Sequence, residues 1–289
     1  MQSENTKSST SISQSQWLLL ALLFAGFIFV YFPVWKNLVL AWYNSDDYSH
    51  GFFIVPICVF IIWQKRKTLA ETPIRSSSWG LAVVILALLM YLLGHLGEIA
   101  TVASFSMVLV LAGLAIYFFG FQMFKELMFP LFLLLFMIPV PAQIYATLTI
   151  PLQLFVSMVS AGVARILGIP IFREGNVINL PEYTLQVVEA CSGLRSMISL
   201  LTLSAVFAYM TLRSNILRTI LFIIGIPAAI VVNIFRVLLM ILAFYYFQYD
   251  LAQGSVHTVF GVVIFILALA IIAGMKGLLS YWDTSADSK

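Results

Sequence analysis

The hydrophobic and polar positions of this chain form long apolar runs, which are separated by short polar stretches. A helix needs roughly 20 apolar residues to cross the hydrocarbon core of a bilayer. The pattern therefore predicts about eight transmembrane helices. They are expected near 17–35, 51–64, 79–97, 102–120, 124–140, 193–212, 216–246 and 257–280. The runs 51–64 and 124–140 are short, so these two helices are expected to be tilted or extended into their flanks.

The stretch 141–192 departs from this pattern. Residues 145–167 are apolar enough for a ninth span, but a stripe of small or polar residues follows them at helical spacing. The stripe consists of Thr149, Gln153, Ser157, Ser160 and Ala164. A ninth span would also separate Cys191 from His257, or contradict the charge bias of the loops described below. We therefore predict an interfacial or re-entrant helix at 141–168.

A different pattern follows this helix, in IFREGNVINLPEYTLQVVEA. Its apolar and polar residues alternate like those of two short strands around Asn179 to Tyr183. The segment is predicted to form a small extracytoplasmic hairpin that leads the chain to Cys191.

Composition agrees with a membrane protein, since 62% of the residues are hydrophobic and only 9% are charged. A soluble domain carries about 25% charged residues. The net charge of +3 is small and no basic patch alternates with aromatics, so no nucleic-acid partner is predicted. The fold class is an all-α integral membrane protein in a lipid bilayer. We expect a disordered cytoplasmic tail at 1–16, a single polytopic membrane domain at 17–282 and a short cytoplasmic tail at 283–289.

The distribution of lysine and arginine indicates the orientation, because cytoplasmic loops carry an excess of both. In an eight-helix arrangement one side receives 10 of the 15 basic residues. That side is predicted to be cytoplasmic, together with both termini, in the cell inner (plasma) membrane. The other side receives Arg195, Arg236 and all three histidines, which are His50, His95 and His257. The polar chemistry is therefore expected on the extracytoplasmic face.

Cys191 stands at the start of the run 193–212, in EACSGLRS. The positive end of a helix lowers the pKa of a thiol below its free value of about 8.5. Arg195 follows by one helical turn and can lie beside the sulfur. The alternative is that Cys-Ser-Gly only supplies small residues for helix packing. The second cysteine, Cys58, lies midway along an apolar run, so no disulfide between the two is predicted.

Arg236 lies inside the run 216–246, with apolar residues on both sides. A guanidinium at the centre of a bilayer costs on the order of 2.5–3.5 kcal/mol, and such groups usually face the protein interior or a water-filled cavity. The alternative is snorkelling, in which the long side chain reaches the interface. Eleven further apolar residues precede the polar loop at Gln248, so we favour an internal partner for Arg236.

His257 follows the loop QYDLAQGSV and opens the last helix. An imidazole titrates near pH 6.5 and can both accept and return a proton. A histidine at a helix start can also be an ordinary polar cap. A thiol, a guanidinium and an imidazole that arrive at one face from three helices favour the functional interpretation, which is cysteine-based acyl transfer.

Metal binding is a further possibility for Asp46, Asp47, His50, His95 and Glu98. These residues lack HExxH or any other compact ligand spacing, so no metal site is predicted. The chain also has no Walker loop, no GxGxxG after a strand and no GxSxG elbow, and no cofactor is predicted.

Four blocks of the sequence resemble the signature blocks of the exosortase/archaeosortase family. They are DDYSHGFFIVP at 46–56, EACSGLRS at 189–196, NIFRV at 233–237 and SVHTVFG at 255–261. The resemblance implies a membrane cysteine protease or transpeptidase. Members of this family act on secreted proteins with a C-terminal sorting tail, which in bacteria is a Pro-Glu-Pro motif, a transmembrane helix and a basic cluster.

The resemblance also implies roles for individual residues. Cys191 would be the nucleophile, His257 the histidine that acts as general acid and base, and Arg236 the essential arginine that stabilises the oxyanion. Arg195, Glu189 and His50 fall in the same blocks as supporting residues. Two other functions stay open at this point. One is a transporter or channel with an intramembrane arginine, and the other is a membrane-bound acyltransferase that uses the same histidine.

Overall fold

The computed structural model describes residues 14–187, 193–251 and 254–285. In these ranges the chain consists of helices and one small sheet. The first helices are α1 (Gln14–Asn44), α2 (Gly51–Gln64), α3 (Arg66–Glu71), α4 (Trp79–Leu96), α5 (Ala100–Leu134) and α6 (Ala142–Ile166). The strands β1 (Phe172–Glu174), β2 (Val177–Leu180) and β3 (Tyr183–Gln186) follow, and then the helices α7 (Gly193–Thr211), α8 (Asn215–Phe247) and α9 (Gly254–Ser285). Two short 3-10 helices, Asp46–Tyr48 and Leu135–Met137, precede α2 and α6.

Six helices in the described residues are long and apolar enough to cross a membrane. These segments are Leu22–Asn44, Trp79–Leu96, Ala100–Met137, Ala142–Ile166, Asn215–Phe247 and Val259–Asp283. Two shorter apolar helices are Gly51–Gln64 and Met197–Thr211. Many large apolar side chains on these segments are exposed, as expected for surfaces in contact with lipid. The protein is therefore a multi-pass membrane protein.

The predicted count of eight spans and the predicted re-entrant segment are not confirmed. The predicted helices 102–120 and 124–140 fall within α5 and the 3-10 helix after it, and the backbone of α5 breaks at Gly120, where the first of them was predicted to end. The segment 141–168 holds α6, which is a continuous helix of 25 residues and is itself one of the six long apolar helices.

The first helix continues to Asn44, well beyond its predicted end at residue 35. Lys36 and Asn37 make the sequence look polar here, but they occupy only one face. Val34, Leu38 and Trp42 repeat at a spacing of four residues and are all buried. Packing of this stripe holds the helical backbone past the polar positions.

The chain divides into two compact units, and the first comprises Met1–Ala41 and Thr68–Met128. Here α1, α4 and α5 pack together through aromatic and small residues. The Tyr31 side chain is buried, its ring centre lies 4.9 Å from that of Tyr91, and its hydroxyl is 3.1 Å from Ser106 Oγ. This hydrogen bond satisfies two polar groups that lie far from water.

Gly120 marks the point where α5 leaves helical geometry, with φ 87° and ψ 177°. A side chain at this position would meet the carbonyl oxygen of Arg75, whose amide donates to the Phe119 carbonyl at 3.2 Å. Only glycine adopts such a backbone conformation readily.

We therefore expect Gly120→Ala to destabilise the protein by about 2 kcal/mol, because it adds backbone strain to the clash with Arg75. The melting temperature in detergent should fall by several degrees. Gly26→Ala is the control, since its Cβ would meet no atom within 4 Å. An unchanged melting temperature of the Gly120 variant would contradict this account of the break in α5.

The second unit comprises Trp42–Lys67 and Phe129–Lys289. Its helices α7, α8 and α9 pack around one core, to which Leu200, Leu221 and Ile264 contribute. A second core joins α6, the sheet and α8, and includes Val156, Ile178 and Val237. Helix α8 contributes to both cores and therefore lies at the centre of this unit.

The sheet is antiparallel, in the order β1-β2-β3. Its second turn, between Leu180 and Tyr183, joins the two strands that the sequence predicts. The strand β1 was not predicted, because its three residues include Arg173 and Glu174 and do not alternate. It pairs with β2 through a turn at Gly175, which has φ 63°.

The polar stripe on α6 is confirmed as one buried face, formed by Thr149, Gln153, Ser157, Ser160 and Ala164. It attaches this helix to its neighbours. Ser157 Oγ donates to the Gly175 carbonyl at 3.0 Å, and Ser160 Oγ donates to the Ile234 carbonyl at 3.2 Å. The stripe therefore connects α6 both to the sheet and to the part of α8 that precedes Arg236.

Candidate functional site

A cavity of about 30 Å³ lies where α7, α8 and α9 meet. Leu200 from α7, Arg236 from α8 and Gly261 from α9 all line it. Most of the remaining lining is apolar, and Asn233, one turn before Arg236, supplies the other polar side chain. Three segments that are far apart in the sequence are thus brought together around one guanidinium.

Arg236 is half-buried, and its Nε has no hydrogen-bond partner in the part of the chain that the structure describes. Its end lies against α9, because a Cβ built on Gly261 would come within 2.8 Å of Nη2. The side chain therefore points toward a neighbouring helix rather than along α8 to an interface. The internal partner predicted for Arg236 stays a prediction, because Nε has no hydrogen-bond partner among the described residues.

His257 lies on α9 one helical turn before Gly261, which is roughly 6 Å along the helix axis. Arg195 is in the first turn of α7, roughly 7.5 Å before the level of Leu200 along the helix axis. Cys191 and Glu189 lie outside the described residues, immediately before α7 begins at Gly193. The backbone thus places the start of α7, Arg236 and His257 around the same cluster of helices.

The strand β3 leads toward this cluster and is fixed to it. Tyr183 stacks on Phe244 of α8 with ring centres 4.1 Å apart, and its hydroxyl donates to Asp250 Oδ1 at 3.0 Å. The amide of Val187, which is fully buried, donates to the Asn176 carbonyl at 3.0 Å. The chain is therefore held close to the loop between α8 and α9 just before it reaches 188–192.

The block around His50 packs nearby. The 3-10 helix Asp46–Tyr48 contacts α7, and Asp47 Oδ2 accepts a hydrogen bond of 2.9 Å from Tyr145 of α6. His50 Nε2 donates to the Phe136 carbonyl at 3.1 Å, which fixes the neutral tautomer with its proton on Nε2. His50 therefore binds the segment before α6 rather than the cavity at Arg236.

Burial lowers the pKa of His50 below its ordinary value of 6.5, and the hydrogen bond to the Phe136 carbonyl opposes this only in part. Below that pH the unfolded chain binds more protons than the folded chain, so acid lowers the free energy of unfolding. The amide of glutamine can donate the same hydrogen bond but does not titrate. We expect His50→Gln to melt with a weaker pH dependence than the parent protein between about pH 5 and 8.

The exposed His95 on α4 offers a matched control. It stacks on Tyr91 with the ring centres 5.9 Å apart. The His95→Gln variant should keep the acid sensitivity of the parent. If His50→Gln also kept the acid sensitivity of the parent, buried His50 would not be the source of that sensitivity.

Metal binding was the further possibility considered for Asp46, Asp47, His50, His95 and Glu98. Within the described ranges, no group of three His, Cys, Asp or Glu side chains is arranged to hold a metal ion. Asp47 and His50 instead bond to other parts of the protein, since Asp47 accepts a hydrogen bond from Tyr145 and His50 donates one to the Phe136 carbonyl.

Two residues of this site were not singled out from the sequence. Asn233 stands three residues before Arg236 and is 6% exposed, and its Oδ1 has no partner among the described residues. Gly261 supplies the space for the guanidinium. Asn233 lies in the block NIFRV, three residues before Arg236, and Gly261 lies in SVHTVFG, four residues after His257. Residues at these spacings share one face of a helix, and this was the signal that could have identified both.

The model of one protein family matches residues 42–274 of the chain. That family is described as transmembrane exosortase (Exosortase_EpsH). The match covers more than three quarters of the chain and includes Cys191, Arg236 and His257. No curated protein and no solved structure matches the chain.

Proposed function

The chain belongs to the transmembrane exosortase family, and on this premise we propose that it is a membrane-embedded cysteine protease or transpeptidase. Its substrates would be secreted proteins that carry a C-terminal sorting tail. Such a tail comprises a Pro-Glu-Pro-like motif, a transmembrane helix and a basic cluster. The enzyme removes the tail through a thioester on Cys191.

One observation carries this proposal, namely the meeting of α7, α8 and α9 around Arg236. The guanidinium is directed at Gly261, one turn from His257, and α7 begins two residues after Cys191. A half-buried cation whose buried Nε–H has no partner among the described residues is suited to bind negative charge that develops during a reaction. Together with a thiol and an imidazole, it supplies the groups that acyl transfer requires.

The first half of the reaction forms the thioester. His257 accepts the proton of the Cys191 thiol, and the thiolate attacks the scissile carbonyl carbon. The carbonyl oxygen becomes an oxyanion, which Arg236 stabilises, with Arg195 as a second cation near the start of α7. The carbon–nitrogen bond then breaks, His257 returns its proton to the leaving amine, and the tail departs.

The second half releases the processed protein. Water or an amine on an acceptor molecule attacks the thioester carbonyl carbon, and His257 accepts the proton of that nucleophile. The carbon–sulfur bond then breaks, and the Cys191 thiolate takes the proton back from His257. Attack by water gives proteolysis, and attack by an amine gives transpeptidation. Neither route needs a cofactor.

The substrate's tail helix fixes where this reaction must take place, since the motif precedes a transmembrane helix and the basic cluster follows it. We place Cys191, Arg236 and His257 at the extracytoplasmic face of the inner membrane. Both termini are cytoplasmic, with tails at 1–16 and 283–289 and a membrane domain at 17–282. The basic connections after α2 and between α7 and α8 support this orientation.

The activity can be tested by reconstituting the purified protein in liposomes together with a substrate that ends in such a tail. Loss of the tail, followed by gel mobility and intact mass, is expected only with the enzyme present. A substrate without the Pro-Glu-Pro motif is the control. An intact tail together with solute flux across the liposomes would instead support the transporter alternative.

The orientation has its own test, in a variant that retains Cys191 after Cys58→Ala. A membrane-impermeant maleimide added to spheroplasts should label Cys191 from outside. Labelling only after the membrane is opened would reverse the proposed topology, whatever the enzyme cleaves.

Gly261→Ala is expected to slow tail cleavage about tenfold. The new methyl group would meet Arg236 Nη2 at 2.8 Å, and the flexible end of the arginine can give way. The fold should therefore survive, while the guanidinium moves by a fraction of an ångström, and misplacement by about 1 Å can cost 100-fold in rate. The measurement is the cleavage rate at saturating substrate, with the melting temperature recorded alongside.

Gly277→Ala is the matched control on the same helix, because its Cβ would meet no atom within 4 Å. It should cleave at the parental rate. A Gly261→Ala enzyme that does the same would show that the position of Nη2 does not limit the reaction.

A further inference from the structure

The cavity at Arg236 is large enough to hold a water molecule. Its volume of about 30 Å³ exceeds the roughly 10–15 Å³ that a water molecule needs. Purely apolar cavities stay empty, whereas a cavity with polar groups on its wall holds water that bonds to them. This cavity has both kinds of wall, since Leu200, Ile264 and Ala268 are apolar while Asn233 and Arg236 are polar.

This wall carries one hydrogen-bond donor and one hydrogen-bond acceptor that a single molecule could bridge. Arg236 Nε carries a proton and has no acceptor, and Asn233 Oδ1 is an acceptor that has no donor, among the residues that the structure describes. Both atoms are buried. The two residues stand three positions apart on α8 and therefore share one face of the helix. They do not bond to each other directly, and leaving both unpaired far from bulk water is unfavourable.

We propose that a water molecule occupies this cavity and joins the two side chains. The water accepts the proton of Arg236 Nε and donates one of its own to Asn233 Oδ1. Asn233 is thereby a positioning residue, which acts on the reaction only through Arg236. This role rests on the proposed function, but the water-mediated link itself does not.

The link explains how the guanidinium keeps a defined direction in an otherwise apolar environment. Its Nε is held from the α8 side by Asn233 through the water, and its Nη2 lies over Gly261 on the α9 side. Two fixed contacts on a planar group define its orientation, which a single contact would leave free to rotate. The remaining N–H groups then stay directed at the place where an oxyanion forms.

The link can be tested without any substrate, by a thermal double-mutant cycle in detergent. Asn233→Leu has a similar size but no acceptor, so it should lower the melting temperature of the parent protein. In an Arg236→Met background, where no buried N–H needs the water, the same change should cost little or raise the melting temperature. Equal shifts in both backgrounds would overturn the link.

Cleavage kinetics test the positioning role. Asn233→Leu should lower kcat about tenfold with little change in KM, because a misdirected Arg236 stabilises the transition state less. Asn233→Asp keeps an acceptor oxygen and should remain within a few-fold of the parent.

The matched control is Thr202→Val on α7, which removes a buried hydroxyl that donates within its own helix, at 2.8 Å to the Ile198 carbonyl. It should keep the parental kcat. If Asn233→Leu also keeps it while Cys191→Ala is inactive, the positioning role is wrong and the proposed function stands. If Cys191→Ala is fully active, the proposed function fails, and the thermal cycle alone decides whether the water link exists.

Discussion

Cys191→Ala is expected to abolish removal of the sorting tail, with the rate falling by a factor of about 10⁴ or more. Every later step depends on the thioester that this sulfur forms, so no other group can replace it by stabilising charge alone. The measurement is conversion of the tailed substrate in liposomes over extended incubation. Cys191→Ser should retain at most a trace of activity, since a hydroxyl is a far weaker nucleophile than a thiol.

The second cysteine supplies the control. Cys58 is buried in α2, and its thiol donates to the Pro130 carbonyl at 3.3 Å. Cys58→Ala should therefore cleave the substrate at the parental rate. Parental activity in Cys191→Ala would refute the thioester mechanism. Mass spectrometry of the acyl-enzyme, trapped by acid quenching, should add the processed substrate to Cys191 and not to Cys58.

The helices could be predicted from the sequence where burial in lipid alone determines them. An apolar run long enough to cross a bilayer has few alternatives to a helix, because its backbone must satisfy its own hydrogen bonds. The ends were predicted less well. Helix α1 continues past Lys36 because Val34, Leu38 and Trp42 are buried, and this stripe is visible only when helical spacing is counted across the polar positions.

The break in α5 illustrates a second limit. The apolar sequence predicts two helices with a gap near residue 121, and the backbone does depart from helical geometry there, at Gly120. The cause is a contact with the carbonyl of Arg75, which lies far away in the sequence. The pattern along the chain indicates the position of the break but cannot contain its cause.

The same reasoning separates the predicted from the unpredicted parts of the site. A charged residue inside an apolar run is conspicuous, so Arg236 could be identified from its position alone. Asn233 and Gly261 are less conspicuous, since neither side chain carries a charge. The importance of Gly261 comes from a distance between two helices, 2.8 Å from Arg236 Nη2 to the Cβ that Gly261 lacks, and that of Asn233 from a buried Oδ1 with no partner among the described residues.

The variant Arg236→Met distinguishes a role of Arg236 in catalysis from a role in stability. We expect kcat to fall by a factor of about 10²–10³, the usual effect of losing one donor to an oxyanion. The melting temperature should stay equal or rise, because methionine fills similar space without the cost of burying a cation. A structural role for Arg236 would give the opposite result, with activity lost only through unfolding.

Arg236→Lys distinguishes the shape of the donor from its charge. Lysine keeps the positive charge, but it lacks the planar fork that reaches Gly261 at one end and leaves Nε in the cavity at the other. We therefore expect Lys to recover only a small part of the rate lost in Arg236→Met. The exposed Arg165, at the end of α6, is the control, and Arg165→Met should cleave at the parental rate. Full recovery by lysine would mean that a diffuse charge is sufficient and that the orientation set by α8 and α9 has no part in catalysis.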